Sequence, residues 1–275
     1  MLKLESNFGD IDVKYWKFPA GETAVKLPSM GDFDYFNITL DFESNDDIIN
    51  LMFLCDALRE MKGNNIRIDL NISYMPYSRQ DRYCDVGESF SLKVICGILE
   101  SLDFQQIYVQ DVHSEVMKAF FEPGTLVVYE QHILQYHLVA SIINTYCANQ
   151  KIAIVAPDAG AVKKATKAAK LHNLDMIEFY KKRSPVDGNI ESVKCSIDKE
   201  ELIKYDCLIV VDDICDNGGT FIALGNVIKN EYNFNGHLHL VVTHGNFGNG
   251  FDDLNKFYKT IEWVNPLVCR RKNGK

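Results

Sequence analysis

The stretch Cys207-Leu-Ile-Val-Val-Asp-Asp-Ile-Cys-Asp-Asn-Gly-Gly-Thr220 decides the fold. Five apolar residues lead into two acids and then into a small-residue loop. A buried strand that ends in acids and turns through glycines into a helix belongs to an α/β sheet with ligands at its carboxyl edge. Gly218 and Gly219 free backbone N–H groups to face an anion, and the helix expected to begin near Phe221 points its positive dipole end the same way. With the hydroxyl of Thr220, Gly218 and Gly219 therefore read as a seat for a sugar phosphate. Asp212 and Asp213 are placed to accept hydrogen bonds from the hydroxyls of that sugar.

Outward from this stretch, helical and β-branched segments alternate. Helical spacing covers 45–61 and ends at Gly63, 66–74 reads as a strand, 90–102 as a helix and 106–109 as a strand. After Pro123-Gly124 the same alternation resumes, with helices over 131–149, 161–172 and 220–232 and strands over 152–156, 176–179, 207–211 and 238–243. The expected class is α/β, with two Rossmann-like domains, 1–149 and 150–275, each a mainly parallel sheet flanked by helices.

The 275 residues, 47% of them apolar, suffice for two cores of about 130 residues each. A net charge of −9 argues against a nucleic-acid footprint, and no nucleic-acid partner is expected. The eight cysteines form no C-x-x-C pair and read as reduced thiols. No run approaches the ~20 apolar residues of a membrane span. No export signal is read at the N-terminus either, so a cytoplasmic enzyme with no membrane partner is expected. There is no G-x-x-x-x-G-K-[ST] sequence, so a P-loop kinase is excluded.

A second constellation, Tyr74-Met-Pro-Tyr-Ser-Arg-Gln-Asp-Arg82, directly follows the strand over 66–74. Arg79 and Arg82 carry planar forks suited to phosphate oxygens, and Gln80 can read a base or ribose edge. With Phe18-Pro-Ala-Gly-Glu22, Gln110-Asp-Val-His-Ser-Glu115, Ala156-Pro-Asp-Ala-Gly160, Lys181-Lys-Arg183, the glycine loop and Thr243-His244, it forms an ordered set. In that order these motifs resemble the ribose-phosphate pyrophosphokinase (phosphoribosyl pyrophosphate synthetase) family, over about residues 15–250.

The resemblance implies two domains of the phosphoribosyltransferase type. It assigns ATP to Arg79, Gln80, Asp81 and Arg82, with Phe18 and Glu22 reaching adenine in a neighbouring subunit, so a homo-oligomer, a dimer or hexamer, is expected. It makes His113 and Asp158 metal-associated positions for Mg²⁺. Lys181, on a mobile loop, Arg183 and His113 are the catalytic set, and Asp212, Asp213 and Asp216 to Thr220 the ribose 5-phosphate site. The implied reaction moves the β,γ-diphosphate of ATP onto the anomeric hydroxyl of a ribose 5-phosphate acceptor and releases AMP.

Three departures bear on the acceptor. Ala20 stands where the family carries Asp, Asn217 where it carries Thr, and the chain ends at Lys275, short of the family's usual C-terminal segment. These raise ADP-ribose, and with it NAD metabolism, as a larger acceptor. Two other classes stay open: a phosphoribosyltransferase using the same cradle, and a catalytically silent synthetase-like subunit.

Overall fold

The computed structural model describes residues 1–129, 133–183 and 190–266. The chain divides into two compact units, Met1–Glu130 and Gln131–Lys275. In the first, β1 (Leu2–Ser6), β2 (Gly9–Ile11), β3 (Lys14–Lys17), β4 (Thr23–Lys26) and β5 (Tyr35–Leu40) precede α1 (Asn45–Lys62). Then come β6 (Arg67–Ile72), α2 (Ser91–Ser101), β7 (Gln106–Gln110), a 3₁₀ turn Glu115–Phe120 and β8 (Leu126–Tyr129). The sheet runs β2-β1-β5-β6-β7-β8, while β3 and β4 form a separate hairpin. Strands β5 to β8 are parallel and each adds on the same side of the last. Right-handed crossovers wound in one direction place their helices on one face. Accordingly β5 alternates: Phe36, Ile38 and Leu40 are fully buried in a core with Leu51, Leu54 and Leu58 of α1 and Leu92 and Leu99 of α2. The other face carries a polar row in which Asn71 donates to Asn37, Asn37 to Glu5 and Tyr35 to Asp69.

Local chemistry fixes α1. Asp47 Oδ2 accepts from the backbone N–H of Glu43 (2.8 Å) and of Ser44 (3.0 Å), anchoring the chain as it enters the helix. Gly63, at φ +83°, ends it with an N–H to the Arg59 carbonyl (2.7 Å).

The second unit holds α3 (Ile133–Tyr146), β9 (Ile152–Ala156), α4 (Val162–His172), β10 (Asp175–Arg183), β11 (Ile190–Cys195) and α5 (Lys199–Leu202). These are followed by β12 (Cys207–Cys215), α6 (Gly219–Asn226), a π-helical turn Val227–Glu231, β13 (His237–Gly245) and β14 (Thr260–Pro266). Its order is β11-β10-β9-β12-β13-β14, parallel except for β11. Both faces are covered, by α3 and α4 on one and by α6 on the other. All five residues of β9 are therefore buried, as are the first five of β12.

Three expectations change. The division falls before α3, not at 149/150, because α3 packs on β13, β14 and α4 and its Val139 and Ile142 share a core with β9 and β12. Cys147 and Cys207 are not free thiols but a bonded pair with Cα atoms 6.4 Å apart, joining the end of α3 to the start of β12. Strand β12 continues through both acids to Cys215, because β13 pairs with it as far as Gly245. Among the described residues no helix is long and apolar enough to cross a membrane.

Candidate active site

In the second unit the chain leaves β9, adds β10 on one side, then returns to place β12 on the other. The carboxyl ends of β9 and β12 thus flank a topological switch point, where an open α/β sheet presents its crevice. Asp158 follows β9, and its Oδ1 accepts from the N–H of Gly160 (2.9 Å) and Ala161 (3.3 Å). Asp212 and Asp213 lie on β12, Asp213 buried and Asp212 half-buried. The Asp212 carboxyl is pushed well above the usual carboxylate range, first by desolvation, then by the charge of Asp213 and, further off, of Asp158. A backbone N–H from Asp213 (2.8 Å) opposes this shift. Such a group waits for hydroxyl donors or a cation.

Beyond Cys215 the cradle turns through Asp216 and Asn217 to Gly218, whose φ of +82° is the left-handed conformation that glycine adopts without steric cost. Gly218 caps α6, its carbonyl accepting from Ile222 N–H (2.9 Å). Gly219 is exposed and Thr220 half-buried. The helix is anchored from below, where buried Tyr258 donates its hydroxyl to the Phe221 carbonyl (2.8 Å). Asp212, Asp213, Asp216, Asn217, Gly218, Gly219 and Thr220 thus share one strand-to-helix turn, and Asp158 acts on it electrostatically.

Lys181 and Arg183 are placed by backbone only. Both lie in β10, where Lys181 pairs with Val193 and the register shifts between Lys182 and Arg183. The expectation of a loop at Lys181 is thus replaced by the end of a strand, and the two side chains lie outside the described residues.

In the first unit the run Arg79 to Arg82 follows β6. Arg79, Gln80 and Arg82 are exposed, and Arg82 Nε lies 3.5 Å from Asp81 Oδ1. The turn before them uses Tyr77 at φ +61° and is tied to the start of α1 by a hydrogen bond from the Tyr77 hydroxyl to Asn45. His113 is exposed after β7, the parallel neighbour of β6, so both loops leave the same carboxyl edge. Phe18 and Glu22 are exposed at the tip of the β3–β4 hairpin, where Phe18 N–H donates to the Glu22 carbonyl (2.8 Å). Lys17 of that hairpin is ion-paired with Asp46 of α1.

Several residues of the site carry no obvious sequence signal. Buried Gln135 of α3 donates to the Asp212 carbonyl (2.7 Å), holding the strand where the acids begin. Asn246 Nδ2 donates to Asp216 Oδ1 (2.6 Å). Gly248 leaves room for Asn217, whose Oδ1 would clash with a Cβ at 248. The run Gly245-Asn-Phe-Gly-Asn-Gly250 after an apolar strand is a turn signal, but nothing in it names the partner it reaches.

The family model described as the N-terminal domain of ribose phosphate pyrophosphokinase matches residues 3–102, and the phosphoribosyl transferase domain model matches residues 132–265. A ribose-phosphate pyrophosphokinase of Pyrococcus furiosus is 30% identical over 272 residues, covering 97% of this chain and 89% of its own. The chain belongs to the ribose-phosphate pyrophosphokinase family. A second member, from Pyrococcus abyssi, is 29% identical over 87% of this chain and 78% of its own. The fold matches a crystal structure of phosphoribosylpyrophosphate synthetase from Mycobacterium smegmatis with a TM-score of 0.72 at 21% identity, over 90% of this chain and 78% of that one. For this pyrophosphokinase family member the two-domain α/β architecture is therefore established from its own topology and from that match.

Proposed function

We propose that this chain transfers the β,γ-diphosphate of ATP to the anomeric hydroxyl of ribose 5-phosphate, giving phosphoribosyl pyrophosphate and AMP. Family membership makes it an enzyme of the ribose-phosphate diphosphokinase type. The observation that carries the reading is the acid-and-glycine turn of β12 at the switch point of the second sheet. There the backbone of Asp216 to Thr220 and the Thr220 hydroxyl receive the 5-phosphate at the start of α6. Asp212 and Asp213 accept from the ribose hydroxyls and orient the anomeric oxygen. Arg79 and Arg82 hold the polyphosphate, with Gln80 and Asp81 beside them, and Phe18 and Glu22 contact adenine across a homo-oligomer interface. Lys181 and Arg183 neutralise the charge that spreads over the moving phosphoryl oxygens, which is the main demand of such a transfer.

An oxygen-rich set is what Mg²⁺ takes, and the acids around Asp212 already repel one another, so the residues present fit that ion. Asp158, on the second unit, and His113, on the first, are positions that would each ligate such an ion, which would neutralise phosphate charge when bound.

A second acceptor, ADP-ribose, is favoured by Asn217, exposed in the turn where the family has a hydroxyl. Both are tested by incubating the protein with ATP, Mg²⁺ and either sugar and following AMP and pyrophosphorylated product by mass spectrometry. Product from ribose 5-phosphate is expected. AMP formation with neither sugar would refute the assignment, and base-dependent pyrophosphate release would make the chain a phosphoribosyltransferase.

A further inference from the structure

The loop after β13 is built onto the phosphate turn. Asn246 N–H donates to the Cys215 carbonyl (2.8 Å), Phe247 N–H to the same carbonyl (3.3 Å) and Gly248 N–H to the Asp216 carbonyl (2.9 Å). The Asn249 side chain reaches the Asn217 carbonyl (3.4 Å). These contacts shape the main chain of the cradle, whereas Asn246 Nδ2 instead grips a charge, the Asp216 carboxylate, at 2.6 Å.

A carboxylate inside a seat for a phosphate is a hazard, because it repels the ligand and competes for the same N–H donors. The molecule shows that competition elsewhere: Asp158, at the equivalent turn after β9, folds its carboxylate onto the N–H groups of its own turn. Asn246 offers the Asp216 carboxylate a charge-assisted partner on the neighbouring loop.

We propose that Asn246 is a positioning residue of the phosphosugar site, holding the Asp216 carboxylate in a fixed place so that the turn receives the 5-phosphate. The inference rests on the proposed function and deepens it: affinity for the acceptor's phosphate is set from the β13 loop as well as from the turn itself. Chemistry at the anomeric oxygen is left to other groups.

The test compares Asn246→Ala and the isosteric Asn246→Asp with wild type, each checked by thermal melting, for turnover and for calorimetric affinity toward ribose 5-phosphate. Asn246→Ala should raise KM for ribose 5-phosphate about tenfold, the usual loss for a hydrogen bond to a charged group, with kcat within about twofold. Asn246→Asp keeps the shape, loses the donor and adds a charge, so its defect should be larger. Wild-type affinity in Asn246→Asp, or a loss of kcat alone in both variants, would overturn the positioning role. A wild-type protein that binds ribose 5-phosphate yet forms no AMP would defeat the pyrophosphokinase reading instead. In that case the calorimetric comparison still decides the role of Asn246.

Discussion

Among single residues, the desolvation of Asp212 and the acid beside it set an expectation for pH. Its folded pKa lies above the unfolded value, so between the two the native state holds the proton more tightly. Stability of the ligand-free protein therefore falls as pH rises through that window. Asp212→Asn should flatten this part of a melting-temperature profile while weakening the acceptor site, and an unchanged slope would show that the fold does not raise the Asp212 carboxyl. Asn217 and Gly248 form a matched pair, because an alanine at 248 meets Asn217 Oδ1. Gly248→Ala should raise KM for the sugar phosphate several-fold, and Asn217→Ala in the same chain should restore part of it; additive losses would exclude the contact. For Lys181 the expectation comes from the family motif: Lys181→Ala should lower turnover by about two orders of magnitude or more with ATP affinity little changed. Full turnover in that variant would remove the residue from the mechanism.

At the scale of elements, the join between α3 and β12 is the most consequential. The Cys147–Cys207 bond closes a separation of 60 residues. Loop-closure entropy puts its contribution at up to about 4 kcal/mol, so reductant should shift the urea midpoint downward, and an unshifted midpoint would mean the pair is not bonded. Beside it, buried His239 donates or accepts at Thr260 Oγ1 (2.8 Å) through Nδ1. Burial, and then the charges of His237 and Lys259, hold its pKa down to about 4. Because the unfolded chain protonates first, about 3 kcal/mol of stability present above pH 6.5 is lost as pH falls towards 4. His239→Gln should reduce that acid-side loss in chemical unfolding, whatever it does to stability at neutral pH. Legibility followed burial. Strands β9 and β12 are covered on both faces and stand out as continuous apolar runs, and α1 and α4 carry helical spacing within a residue of their observed bounds. The five strands before α1 escaped, since four are short and half-exposed and β5 shows its apolar side only at every second residue. The phosphate turn was legible because chemistry and local backbone coincide there. Asn246 and Gln135 were not, because their partners lie 30 and 77 positions away.

Considered as a whole chain, two sheets of six strands invite the idea of two equivalent ligand sites, and their winding argues against it. In the second unit the strand order reverses between β9 and β12. In the first, β5, β6, β7 and β8 succeed one another in a single direction and β1 joins antiparallel. Among the described residues that sheet has no point at which neighbouring crossovers part to open a crevice between two strand ends. Its loops after β6 and β7 present exposed arginines and a histidine on an edge rather than a turn closed around a small anion. The consequence is one of stoichiometry: a titration with ribose 5-phosphate should saturate at one equivalent per polypeptide, and a second equivalent of similar affinity would mean that the one-way sheet binds sugar phosphate too.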